Sequence, residues 1–176
     1  MEKNFDFLQL AAERYSVRSF RPESVSGEDL ERILRAGHLA PTACNLQPQR
    51  ILVLRGEEAI AKLRRCTKCH FNAPTALLVC YDRDRCWRRE YDGKESGDID
   101  ASIVATHMML EAASLGVGST WVMYFIPEAV RKEFDIPDNI VPTALLVMGY
   151  PAPDAKPFPG HTEFCPMEEL VAVDRF

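Results

Sequence analysis

Apolar residues near the amino end recur at helical spacing: Phe5, Leu8, Ala11, Ala12 and Tyr15 predict one amphipathic helix. A second begins at Ser26, with Asp29 three residues later in a variant capping box. Leu30, Ile33 and Leu34 form its buried stripe, and Pro41 stops it. Ile51–Leu54, bracketed by Arg50 and Arg55, reads as a short strand, and a helix is expected from Glu57 to about Cys66. Thr75 to Tyr81 (TALLVCY) is almost wholly apolar, the pattern of a strand covered on both faces. The charged stretch from Asp82 to Gly97 interrupts the pattern and reads as a surface excursion or lid.

Beyond it lies the longest helix, Ile99 to about Leu115, with Asp98 expected as its cap. Its apolar positions Ile103, Val104, Met108, Leu110 and Ala113 surround most of the circumference, as in a helix that is central or buried between subunits. Gly116 ends it. Val117–Met123 predicts a strand interrupted by Gly118, Pro127 opens a short helix to about Phe134, and Val141–Met148 is a final strand. Helices suffice to cover both faces of one sheet, so a three-layer α-β-α sandwich is expected, with its connectivity open. The proline-rich stretch from Pro151 to Pro159 suggests an extended arm leaving the core.

At 176 residues the chain is long enough for one domain and short for two. The net charge of −5 argues against general nucleic-acid binding or an anionic membrane surface. No apolar run approaches a membrane span. Met1–Asp6 lacks the features of a signal peptide. A cytoplasmic protein is expected, and its 6 cysteines are then mostly reduced thiols.

Against this acidic background, Arg14-Tyr15-Ser16-Val17-Arg18-Ser19-Phe20 stands out. Arg14 and Arg18 share a side in an extended chain and a face in a helix. Two guanidinium groups and the Ser16 hydroxyl suit a phosphate dianion. Two solvated arginines near a helix end are the alternative. Pro41-Thr42-Ala43-Cys44-Asn45-Leu46-Gln47-Pro48 is a loop bracketed by prolines and rich in hydrogen-bonding groups. Cys66-Thr67-Lys68-Cys69-His70 has c-haem attachment spacing, set aside because no export signal accompanies it. Zinc lacks two further ligands at compatible spacing, and no metal is expected. A redox role for Cys66 and Cys69 stands beside the plainer reading of incidental thiols. Trp87 and Tyr91 are candidates to roof a flat substrate. Arg83, Arg85, Arg88 and Arg89 are candidates for a nucleotide phosphate. No GxGxxG is present, so a nicotinamide nucleotide is not held by a Rossmann unit.

RYSVRSF, PTACNLQPQ, GDIDASIVATHMMLEAASLGVGSTWV and LLVMGYP, in this order, resemble the FMN-dependent nitroreductase family in its shorter-chain branch, over nearly the whole chain. The resemblance implies an α+β fold: a mixed, largely antiparallel sheet between helical layers, in one domain over residues 1–176. It implies an intertwined homodimer with FMN at the subunit interface. It also implies that residues 151–176 are a C-terminal arm reaching the partner subunit. Arg14, Tyr15, Ser16 and Arg18 match the motif for the FMN phosphate, ribityl chain and ring O2 edge. Pro41, Thr42, Ala43, Asn45 and Gln47 match the loop reaching the flavin from the other subunit. Trp121, Val122, Met123 and Tyr124 match the segment beside the ring, with the Met123 amide facing N5. The family's usual cation after the last strand is missing from Pro159–Thr162, leaving Lys156, His161 or Arg14 alone for the phosphate. The implied activity is NAD(P)H-dependent reduction of flat acceptors, nitroaromatic or quinone, by ping-pong hydride transfer. A flavin carrier or redox sensor without turnover, and another reaction on the same fold, are the alternatives.

Overall fold

The computed structural model describes residues 6–176; Phe5, and with it most of the Met1–Asp6 stretch, lies outside the described residues. Helix α1 spans Phe7–Glu13, capped by the Asp6 carboxylate, which accepts from the Leu8 and Gln9 amides. Helix α2 spans Gly27–Leu39, and the Ser26 hydroxyl accepts the Asp29 amide as the capping pattern predicts. Strand β1 (Gln49–Arg55), helix α3 (Glu57–Cys66) and strand β2 (Thr75–Asp82) follow. Helix α4 (Gly97–Ser114), strand β3 (Gly118–Val122), helix α5 (Pro127–Glu133) and strand β4 (Ile140–Gly149) complete the core. A short helix α6, Met167–Leu170, lies in the tail.

The strands order as β1-β2-β4-β3, and every named pair is antiparallel. The parallel contribution is one bridge, Ser16 to Ser119. All of β2 is buried, as its apolar run predicts. Period-two alternation divides its side chains between two cores. Leu77, Val79 and Tyr81 pack with Ile33, Val104 and Met108 of α2 and α4. Leu78 and Cys80 pack with Ile60, Leu63 and Val130 of α3 and α5. This is the three-layer sandwich.

Asp98 does not cap α4. Ser96 holds the cap position, and its hydroxyl donates to the Asp100 carboxylate at 2.7 Å. Asp98 instead accepts from the Thr143 hydroxyl at 2.8 Å. Thr143 is the extra residue of a bulge in β4, where Val79 pairs with Ala144 and Cys80 with Pro142. Proline has no amide for the ladder, and a bulge is where a strand accommodates it. Gly116 ends the α4 region at φ +74°, as predicted from its position. Ile99 and His107 leave an exposed strip along α4 in the single chain.

After β4 the chain turns back along its own amino-terminal segment. The Arg21 amide donates to the Tyr150 carbonyl at 2.8 Å and the Ala152 amide to the Ser19 carbonyl at 3.0 Å. The Tyr150 hydroxyl donates to Asp29 at 2.7 Å and accepts from the Ser26 amide at 3.2 Å, fastening the start of α2 to the same place.

Candidate cofactor site

The Arg14–Phe20 stretch is extended, not helical. Arg14 leaves α1 with ψ 132°, Ser16 bridges Ser119, and the Val17 amide donates to the Ser119 carbonyl at 3.1 Å. The Thr120 hydroxyl donates back to the Val17 carbonyl. Val17 is buried where Gly118 has no side chain: a Cβ there would lie 2.6 Å from a Val17 methyl. The RYSVRSF stretch is thus clasped between β3 on one side and residues 150–152 on the other.

Arg14 and Tyr15, both half-buried, line a cleft of about 250 Å³ with Ala113, Gly116–Ser119 and Pro151. Arg18 is not among the residues of this cleft. Its guanidinium donates to the Ser16 carbonyl at 3.2 Å and lies 5.9 Å from the centre of the Phe71 ring. The convergence of two guanidinium groups expected from their spacing is therefore not seen within one cleft. The cause lies in the partners: Arg14 follows the cleft floor, whereas Arg18 finds an aromatic face outside it. His161, not Lys156, sits beside Tyr15: the rings meet edge-on with centres 6.2 Å apart, and His161 Nε2 lies 3.2 Å from the Ala12 carbonyl. Lys156 is exposed.

The Pro41–Pro48 loop holds three non-glycine residues at positive φ: Cys44 at 50°, Asn45 at 53° and Gln47 at 50°. Such a backbone persists only where neighbours fix it. The Gln47 amide donates to the Thr42 hydroxyl at 3.0 Å, and the Gln47 side chain to Asn45 at 3.2 Å. The Ala43 amide donates to Asp100 at 2.8 Å. Asp100 is buried, and its other oxygen takes the Ser96 hydroxyl. This anchor was missed in the sequence reading. Its signal was a carboxylate on the apolar stripe of α4, beside Ala101 and Val104. Pro41 and the Asn45 and Gln47 side chains stay exposed, with Thr42 and Ala43 half-buried.

The loop and the Arg14 cleft stand apart. Asp100, which anchors the loop, and Ala113, in the cleft wall, are thirteen positions apart on α4, roughly 20 Å at the rise of an α-helix.

At the other end of β3, Trp121 packs in the α2–α4 core and Val122 in the α3–α5 core. Met123 and Tyr124 then emerge, 70% and 73% exposed. The turn after α3 braces them: the Thr67 hydroxyl donates to the Tyr124 carbonyl and accepts the Cys69 amide at 2.9 Å. The Ile126 amide donates to the Cys66 carbonyl at 2.9 Å. This turn also supplies Phe71, at φ 48°, to Arg18. Thr67 and Phe71 are not legible in sequence as site residues, because a threonine between two cysteines and a single phenylalanine carry no local sign of this turn. Cys66 is buried, and burial pushes its thiol up, with Glu133 adding to the shift and Arg65 opposing it. Cys66 is a packed neutral thiol rather than a nucleophile. His107 is exposed and bonds the Ile103 carbonyl one turn back at 2.9 Å.

The excursion after β2 uses most of its charge internally. Arg83 and Arg88 both meet Glu95, at 3.7 and 2.8 Å, and Arg89 pairs with Asp92. Trp87 and Tyr91 project from it, Tyr91 almost wholly exposed.

A sandwich whose amino-terminal arginine stretch is clipped to an edge strand, with a strained polar loop at the far end of the central helix, defines the α+β class of this protein. The Nitroreductase family model matches residues 11–76 and 67–150, and the chain belongs to the nitroreductase family. It is 34% identical over 158 residues to an Archaeoglobus fulgidus protein provisionally named NADH dehydrogenase/NAD(P)H nitroreductase, covering 86% of this chain and 88% of that one. To the FMN reductase [NAD(P)H] of Bacillus subtilis it is 28% identical, covering 78% of this chain and 62% of the relative. A crystal structure of a nitroreductase family protein from Clostridium difficile superposes with a TM-score of 0.92 at 42% identity, covering 98% of this chain and all of the other (100%).

Proposed function

We propose that the protein is an FMN-dependent NAD(P)H oxidoreductase that reduces flat electron acceptors of nitroaromatic or quinone type. The observation that carries this reading is the clasped Arg14–Arg18 stretch, which sets cations and a hydroxyl along β3 just before Met123 and Tyr124. The donor set fits a flavin mononucleotide. Arg14, Tyr15 and Ser16, with His161 or Lys156, would hold the phosphate and ribityl chain. Arg18 would face the pyrimidine edge of the ring, the backbone of Trp121 and Val122 would run beside it, and the Met123 amide or the Tyr124 segment would border N5. The printed names of the Archaeoglobus fulgidus and Bacillus subtilis relatives support the nucleotide, and the latter's supports the flavin.

When bound, FMN supplies hydride transfer from NAD(P)H to the acceptor. The chain's own part is electrostatic and steric. The Arg18 guanidinium would offset negative charge at the pyrimidine edge. The Met123 amide would orient the ring. NAD(P)H and acceptor would use one open face in turn, which gives ping-pong kinetics. Pro41, Thr42, Ala43, Asn45 and Gln47 lie too far along α4 from the Arg14 cleft to touch the same mononucleotide from one chain. A homodimer that lends this loop across its interface resolves the separation. The exposed Ile99 of α4 and the exposed tail residues Phe164, Met167 and Leu170 support that assembly.

The test is direct. Protein supplied with FMN should be yellow, should bleach anaerobically under NADH or NADPH, and should recolour on adding a quinone or nitroaromatic. Protein that stays colourless with FMN, or that no nicotinamide nucleotide bleaches, would defeat the reading.

A further inference from the structure

The nicotinamide nucleotide's own anionic end has had no place so far. The excursion arginines looked suited to it in sequence, but Arg83, Arg88 and Arg89 are engaged by Glu95 and Asp92, which leaves the exposed Arg85 as a lone cation there among the described residues. A second group of cations lies elsewhere. Arg64, Arg65 and Lys68 line a cavity of about 370 Å³ whose opposite wall is Tyr124, Phe125 and Ile126. Arg65 is held there by Glu133 in a two-point contact, 2.9 and 2.6 Å. Arg64 and Lys68 are exposed, and neither forms an ion pair among the described residues. Two cations with no carboxylate partner, at the mouth of a cavity with aromatic walls, match an adenosine phosphate: the base against Tyr124 or Phe125, the phosphate at the cations. The cavity is rigidly founded, because Thr67 bonds Tyr124 and Ile126 bonds Cys66 across it. Burial first, then the Arg64 charge, holds the His70 imidazole below its ordinary value, so the floor of the turn adds no titrating charge near neutrality.

We infer that this cavity binds the adenosine end of the nicotinamide nucleotide, with Arg64 and Lys68 reading its 2′-phosphate, so that the enzyme prefers NADPH to NADH. The inference rests on the proposed oxidoreductase reading, because Tyr124 belongs to the segment placed beside the flavin there. It adds a site and a choice of nucleotide that the reading leaves open.

The probes are 2′,5′-ADP and 5′-AMP, titrated calorimetrically into FMN-supplied protein. This binding measurement needs no turnover. The expected result is that 2′,5′-ADP binds about tenfold more tightly than 5′-AMP and competes with NADPH. In the double variant Arg64→Gln/Lys68→Gln that preference should vanish. The ratio of KM for NADPH to KM for NADH should rise about tenfold. Equal binding of the two probes, or an unchanged KM ratio in a variant whose circular dichroism and melting match the parent, would overturn the proposal. Preferential 2′,5′-ADP binding in a protein that no nucleotide bleaches would uphold this site while sinking the oxidoreductase reading.

Discussion

Asp100 spends both carboxylate oxygens on holding a loop, one on the Ala43 amide and one on the Ser96 hydroxyl. Removing it leaves the buried Ser96 hydroxyl and the half-buried Ala43 amide without this partner, at about 1–3 kcal/mol for the buried donor and less for the other. Asp100→Ala should therefore lower the melting temperature and weaken FMN binding about tenfold, whereas Asp100→Asn, which keeps one acceptor, should do less of both. FMN titration beside thermal unfolding separates the two effects. A variant that melts earlier yet binds FMN as before would show that the loop does not serve the site. Cys80 gives a different residue-scale test. Burial pushes its thiol up to about 12 from an ordinary value of 9.0, against a small opposing effect of Arg131. The fold favours the neutral thiol, so this contribution is complete below the ordinary value and is lost as pH rises toward the folded one. Burial raises Cys66, Cys86 and Tyr81 in the same sense. Urea midpoints should fall steadily above about pH 9, and the fall should be shallower in Cys80→Ala than in the parent.

At the scale of elements, the contact between Gly118 and Val17 decides whether the arginine stretch lies on β3. In Gly118→Ala the added methyl meets Val17 side-chain atoms at 2.6 to 2.9 Å. Such overpacking costs about 1–3 kcal/mol, and relief requires the stretch to lift from the strand. Loss of FMN affinity beyond the loss of stability is expected, read by flavin fluorescence. Unaltered affinity would separate Val17 seating from flavin binding. The elements themselves were largely legible in sequence. Glu57–Cys66 and the caps at Ser26 and Gly116 follow from local rules, and the β2 run is too apolar for anything but a covered strand. What local rules could not supply was pairing. Asp98 obeys the signal for a cap but is drawn off by Thr143, a buried residue 45 positions away at a bulge in β4. Arg14 and Arg18 share a side by period alone, yet Phe71, brought in by a left-handed turn, takes one of them. Within the candidate site, the motif residues could be read from the chain, while their braces Asp100 and Thr67 required the fold.

For the whole molecule, the separation of loop and cleft along α4 makes a prediction about assembly. The protein should sediment at twice its 19.9 kDa chain mass. Each FMN site should draw on both chains. Arg14→Ala and the double loop variant Asn45→Ala/Gln47→Ala should each bind FMN poorly. Mixed dimers refolded from the two should regain one intact site, because the loop-variant chain supplies a sound cleft and the Arg14→Ala chain a sound loop. Absence of recovery in verified mixed dimers would place both segments on one chain's site. A chain ending at residue 162 removes Phe164, Met167, Leu170 and Val173, all exposed in the single chain. It should dissociate at higher concentration than the full chain, since roughly 25 cal/mol of apolar burial is lost per Å² uncovered; an unchanged dissociation constant would assign the tail no part in pairing.

β3 is the outermost strand on its side of the sheet, and its open hydrogen-bonding groups meet Ser16 and Val17 rather than water. An uncovered border of this kind recruits stray strands from other molecules. The few residues proposed to grip the ligand would therefore also act as a guard rail against aggregation. Proteolytic nicking just after Phe20 should turn a clear solution cloudy even where every helix survives.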